Sequence, residues 1–204
     1  LPSHSLDTNR QAKLVRPLYM HLLDEKDEKY AKERLIKALE DYGWRLGTGF
    51  LSTPFILYVL SDINTEYSYK LLENKEMPGW LYMTKNGANT IWESWEGTSA
   101  QSGIASLNHY SKGAVVEWLF DSMCGIRIKG ENEFDISPEP GGHFRFAKAK
   151  YDSEYGRVES GWEKKEGKVI YHISVPSNTK AYVKLPKGRE EILTSGDYVF
   201  EETL

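Results

Sequence analysis

The chain has 204 residues, 40% hydrophobic and 27% charged, with a formal net charge of −4 and a mean hydropathy of −0.56. This is a globular composition, sized for one large or two small domains. The slight negative charge, without a basic run, argues against nucleic acid or an anionic membrane as partner, and no apolar run reaches the roughly 20 residues of a bilayer span.

The helical period comes first along the chain. It predicts helices over residues 7–23, capped at Asp7-Thr8-Asn9 and interrupted by Pro17, and over 27–42, ending before Gly43. Two more are expected over 52–62, opened by Ser52-Thr53-Pro54, and over 65–75. A last one runs from Ser111 to Cys124. Helices of this length on short links suggest α-hairpins. The links Gly43–Gly49 and Gly97–Asn108 are too long and glycine-rich to be mere turns, and such loops on a rigid scaffold are where sites sit.

Near residue 126 the period becomes two. Strands are expected over 144–150, 157–162, 168–175, 180–185 and 197–201, with Val169, Tyr171, Ile173 and Val175 on one face of the third. Turn residues at Pro138–Gly142, Glu166-Gly167, Pro176–Asn178 and Ser195-Gly196 separate them. Strands so spaced read as an antiparallel sheet or sandwich. The chain thus divides into a helical part, 1–125, and a β part, 126–204. The single cysteine, Cys124, excludes an internal disulfide and packs as a small hydrophobe. Leu1-Pro2-Ser3 has no initiator Met and nothing resembles a signal peptide, so the start looks like a mature form or an excised piece. The compartment stays open between periplasm, exterior and cytoplasm.

The chemistry concentrates at Trp80-Leu81-Tyr82-Met83, Thr90 to Gly97 and Asn108-His109-Tyr110. Aromatic faces beside Glu93 and Glu96 suit a sugar: rings stack on C–H faces, and acids handle hydroxyls and protons. The competing reading makes Trp80, Trp92 and Trp95 core anchors, Glu93 a cap or ion-pair partner, and His109 a helix N-cap. Glu96 is equally suited to a sugar hydroxyl or a neighbouring arginine. His143 and His172 sit among ordinary strand residues, and His4 and His21 have no partner at metal spacing. There is no zinc, EF-hand, P-loop or dinucleotide pattern, so no cofactor or metal is expected.

Taken in order, Gly47-Thr48-Gly49-Phe50, Thr53-Pro54, Trp80–Met83, Thr90-Ile91-Trp92-Glu93, Asn108-His109-Tyr110 and Gly113-Ala114-Val115 resemble the bacterial α-L-rhamnosidases of glycoside hydrolase family 78. Ile136-Ser137-Pro138, Pro140-Gly141-Gly142, Ala147-Lys148-Ala149, Tyr155-Gly156 and Ser160-Gly161-Trp162 extend the likeness into the β part. The resemblance implies an α+β chain: the later helices of a catalytic (α/α)6 barrel, then a β-sandwich. It implies an inverting hydrolase of terminal α-L-rhamnosides. Glu93 would be the general base and His109 a sugar contact. The general acid belongs to an earlier part of the barrel without counterpart here, so the piece alone is expected to be inactive. Ser94 and Glu96 stand where many members have Arg and Asp, which touches substrate detail and any ion pair of that arginine. Trp80 and Trp95 are candidates for the sugar platform, and Glu96 for a substrate hydroxyl. A non-catalytic carbohydrate-binding module and another (α/α)-barrel glycosidase are the alternatives. A half barrel would also leave apolar stripes uncovered, so a homodimer through that surface, or a frayed first helix, is expected.

Overall fold

The structure, a computed structural model, describes residues 5–101 and 103–204; His4 and the Leu1-Pro2-Ser3 start lie outside them. The chain forms two compact units that divide between Val115 and Val116.

The first unit is helical. Its main elements are α1 (Gln11–Tyr19), α2 (Glu25–Asp41), α3 (Ile56–Ile63) and α4 (Thr65–Leu72), then the short α5 (Trp80–Lys85) and α6 (Tyr110–Gly113). α1 packs on α2, α3 on α4, and α1 on α3. Each presents an apolar stripe: Leu14, Val15 and Leu18 from α1, Ala31, Leu35, Ala38 and Leu39 from α2, Ile56 to Leu60 less Tyr58 from α3, and Tyr69, Leu71 and Leu72 from α4. The α2 start follows the capping rule. The Asp24 side chain accepts from the Asp27 N–H at 2.8 Å, and Glu25, Asp27 and Glu28 fill the positive first turn.

Two starts differ from expectation. α1 begins at Gln11, not at residue 7. Thr8 uses its hydroxyl to accept from the Arg10 N–H in a turn, and a hydroxyl bonding its own backbone competes with helix. Pro17 lies inside α1 and, with no N–H to give, removes one rung of the ladder; the Met20 N–H still bonds the Arg16 carbonyl at 3.0 Å, and α1 ends at Tyr19. α3 begins at Ile56 rather than at Ser52. The Ser52 and Thr53 N–H groups both bond the Gly49 carbonyl, and the Thr53 hydroxyl is 2.9 Å from that of Thr48. These hydroxyls are buried in the 48–53 turn and cap nothing. α5 was not foreseen, since six residues are too few to display a period.

The second unit begins with the end of a broken helix. A four-residue turn α7 (Val115–Trp118) runs into a π-helical turn, Leu119–Met123, where one unbroken helix was expected. Eight strands follow among the described residues: β1 (Ile126–Gly130), β2 (Glu133–Ile136), β3 (Phe146–Ser153), β4 (Gly156–Lys165), β5 (Lys168–Val175), β6 (Lys180–Lys184), β7 (Glu190–Leu193) and β8 (Gly196–Thr203). They make two four-stranded sheets, ordered β1-β2-β6-β7 and β3-β4-β5-β8. All pairs are antiparallel but β2 with β6, which is parallel. Each sheet buries one face: Phe134, Ile136, Ala181 and Val183 on the first, Val158, Trp162, Tyr171 and Ile173 on the second.

Helix gives way to strand between Met123 and Ile126, yet compactness divides the chain earlier. The reason is visible in hydrogen bonds. The buried Trp162 indole N–H donates to the Met123 carbonyl at 2.7 Å, and the Ser160 hydroxyl to that of Cys124 at 2.5 Å. The helical tail 116–124 is therefore tied into the strands. Gly125, at φ +79°, turns the chain where any Cβ would overlap the Pro138 backbone. Burial pushes the Cys124 thiol up to about 11, so it is an inert packing group.

Candidate active site

The 88–109 loop joins α5 to α6 and carries both carboxylates. Its two legs are pinned to each other. The Glu93 N–H donates to the Ser106 carbonyl at 2.8 Å, and the Ser106 N–H returns a bond to Glu93 Oε2 at 3.0 Å. The His109 N–H reaches the Ile91 carbonyl at 2.8 Å, and the Thr90 hydroxyl the Leu107 carbonyl. Between the legs, Trp92 is buried against Gly97, which turns at φ +54° into the one-turn segment Gly97–Ser99. The expected link from Gly97 to Asn108 is thus a folded loop, with Ser102 outside the described residues.

Glu93 is half-buried. Its Oε2 is tethered to Ser106, and among the described residues Oε1 has no hydrogen-bond partner. No arginine pairs with it there. Its carbonyl instead accepts from Lys112 Nζ. His109 is half-buried too and caps α6: Nδ1 accepts from the Ser111 N–H at 3.3 Å. That bond leaves Nε2 as the protonated nitrogen of the neutral ring. The imidazole stacks on Phe50 at 4.5 Å and on Tyr110 at 5.1 Å, both of them exposed. The N-cap reading of His109 and a sugar-facing Nε2–H are therefore compatible.

The other three candidates fall in different settings. Trp95 is half-buried, with the Lys112 ammonium over its ring at 3.8 Å. Glu96 is exposed. Trp80 is only 4% exposed and spends its indole N–H on the Lys112 carbonyl at 3.0 Å. Its ring lies in the core rather than on an open platform, because burying an indole with its N–H satisfied is the stable use of the residue. Gln11, buried in α1, accepts from the Gly47 N–H and donates to the Arg45 carbonyl, which fixes the glycine-rich 45–49 link. Ser111 donates to the Phe50 carbonyl at 2.8 Å and brings that link to His109.

Lys112, Ser106 and Phe50 were not singled out from the sequence. Phe50 had a signal, standing directly after the glycine-rich link in the Gly47-Thr48-Gly49-Phe50 motif. Ser106 acts through its main chain, which leaves no trace in side-chain identity. Lys112 resembles any basic residue near a helix end, yet it is 4% exposed. Burial pulls its ammonium down to about 8, with the Glu96 and Glu93 carboxylates opposing the shift. Among the described residues no three His, Cys, Asp or Glu side chains gather as a metal would need, and no helix is long and apolar enough to cross a membrane.

Comparison with known proteins agrees along the whole chain. Residues 2–123 match the model of the bacterial α-L-rhamnosidase six-hairpin glycosidase domain, and residues 129–200 that of the bacterial α-L-rhamnosidase C-terminal domain. An α-L-rhamnosidase of Streptomyces avermitilis is 35% identical over 94% of the chain, and one of Formosa agariphila is 34% identical over 91%. The chain spans about a fifth of the length of these relatives, 20% and 21%. The crystal structure of the Streptomyces avermitilis α-L-rhamnosidase complexed with L-rhamnose superposes with a TM-score of 0.86 at 31% identity, over 96% of this chain and 22% of that one. The α-L-rhamnosidase of Aspergillus terreus gives the same score at 29% identity, over 95% and 24%. With both halves of the chain matched in order by one family's domains, this chain belongs to the bacterial α-L-rhamnosidases.

Proposed function

We propose that this chain supplies Glu93 as the general base of an inverting α-L-rhamnosidase, and that the general acid comes from residues outside it. The observation that carries the reading is the divided carboxylate: Oε2 fixed by the Ser106 N–H, Oε1 without a partner among the described residues, on a half-buried side chain. An inverting base needs one oxygen held for orientation and one lone pair open to a water on the sugar face opposite the leaving group. The acid then stands about 6.5–9.5 Å away, leaving room for that water.

The neighbours have matching parts in this proposal. His109 offers its Nε2–H to a sugar hydroxyl. Trp95 and the exposed Phe50 offer apolar ring surface to the C–H face. Glu96, exposed, accepts from a hydroxyl. Trp80 acts indirectly, by holding the carbonyl of Lys112. Terminal α-L-rhamnosides are the proposed substrates, supported by the relatives' activity and by the L-rhamnose bound in the Streptomyces avermitilis enzyme. For the isolated polypeptide we also propose a second copy over the exposed apolar side chains of the first unit, Met20, Leu22 and Leu51.

Glu93→Gln in the whole enzyme carrying this chain tests the assignment on an aryl α-L-rhamnoside. Turnover is expected to fall about 10²–10⁴-fold, the usual worth of a general base. Near-wild-type turnover rejects Glu93. Proton NMR of the first-formed sugar tests inversion: β-rhamnose should appear before α.

A further inference from the structure

Lys112 combines features that rarely coincide. Among the described residues it is the one buried lysine, on a four-residue helix, and its ammonium is directed back at the loop that carries Glu93. A buried lysine is costly unless paired, because its hydration is lost. Here the ammonium donates to the Glu93 carbonyl and lies over the Trp95 ring, with no carboxylate in salt-bridge contact among the described residues. The Lys112 carbonyl in turn accepts from the Trp80 indole, so α5, the loop and α6 meet at this one residue. Core packing alone does not call for a cation at that place. A leucine or methionine would fill the volume without the desolvation cost.

We propose that Lys112 is a positioning residue for Glu93: its ammonium ties the Glu93 main chain to the Trp95 ring and so fixes where the carboxylate points. The inference rests on the reading of Glu93 as the base. The tie works in two directions. Through the carbonyl it holds the Glu93 backbone, while the Ser106 N–H holds the side chain at Oε2. Through the ring it sets the face that Trp95 shows to a ligand. The titratable groups facing the ammonium are Glu93 and Glu96, both on the loop. Because burial brings the ammonium down to about 8, the charge on which the cation–ring contact depends is lost as pH rises through that value.

The test uses the whole enzyme carrying this chain, with kcat and KM for an aryl α-L-rhamnoside followed from pH 5 to 10. Lys112→Met is expected to lower kcat about 10- to 100-fold, the cost of a base displaced by an ångström or less, with KM changed far less. Lys112→Arg keeps the charge at every pH. It should retain most activity and lack the decline near pH 8 that is expected of the unaltered enzyme. Glu93→Gln, measured alongside, separates the two ideas. If Glu93→Gln is inactive while Lys112→Met stays within twofold of the parent, the positioning role falls and the base stands. If Glu93→Gln is active, both fall. Should Lys112→Met fail to fold, the arginine variant decides: an alkaline limb unchanged from the parent overturns the proposal.

Discussion

Gly97 holds the left-handed φ of +54° with the Trp92 ring pressed on it, so that an added Cβ would overlap the indole. Gly97→Ala combines an unfavourable backbone conformation with overpacking against a buried ring. It should destabilise the helical unit by roughly 1–3 kcal/mol, read as a lower urea midpoint, and should move the Glu93 leg of the loop. At this scale the sequence was informative about identities and silent about connections. Glu93 and His109 are candidates because of the motifs that hold them. Their settings were not legible: the Ser106 tether is a main-chain bond, and Lys112 reaches the Glu93 carbonyl across nineteen positions of chain. Trp80 shows the converse. Its type suggested a platform, and only the bond to Lys112 and its burial reveal a core anchor.

Among the elements, those with a strong period were read well. α2 runs Glu25–Asp41 against an expected 27–42, and β5 spans the expected 168–175 with the expected face inward. The misses have physical causes. β1 buries only one residue outright and β7 likewise one, so neither displays alternation. On β3 the small Ala147 and Ala149 face inward while Phe146 is 66% exposed, the reverse of what size alone suggests. The broken segment 110–124 kept its apolar spacing but not its ladder, and the strands hold its last residues, Met123 and Cys124, through Trp162 and Ser160. Trp162→Phe keeps most of the ring and removes the donor to the buried Met123 carbonyl. It should cost about 1–3 kcal/mol, the penalty of an orphaned buried group, measured by denaturant unfolding of the chain.

For the molecule as a whole, the relevant fact is the share it represents: about a fifth of its curated relatives. An inverting site needs two carboxyl groups across a sugar, and the proposed base, Glu93, is one of them. The polypeptide alone is therefore expected to leave an aryl α-L-rhamnoside intact and to self-associate through its exposed apolar side chains. A hydrolysis assay and sedimentation on one preparation check both. Base-dependent turnover by the isolated chain would show that a second acid is already present, and a monomer would remove the homodimer.

The parallel pairing of β2 with β6 also constrains the order in which the second unit can be made. β3, β4 and β5 are joined by tight hairpins and can zip as soon as they leave the ribosome, whereas β2 must wait some forty-four positions of chain for the neighbour at residues 180–184. Until then β1 and β2 are a lone two-stranded ribbon, a form marginal in water. A nascent chain halted after Val175 would thus hold a nearly finished sheet beside an unclosed one, and residues 176–204 complete both at once by delivering β6, β7 and β8.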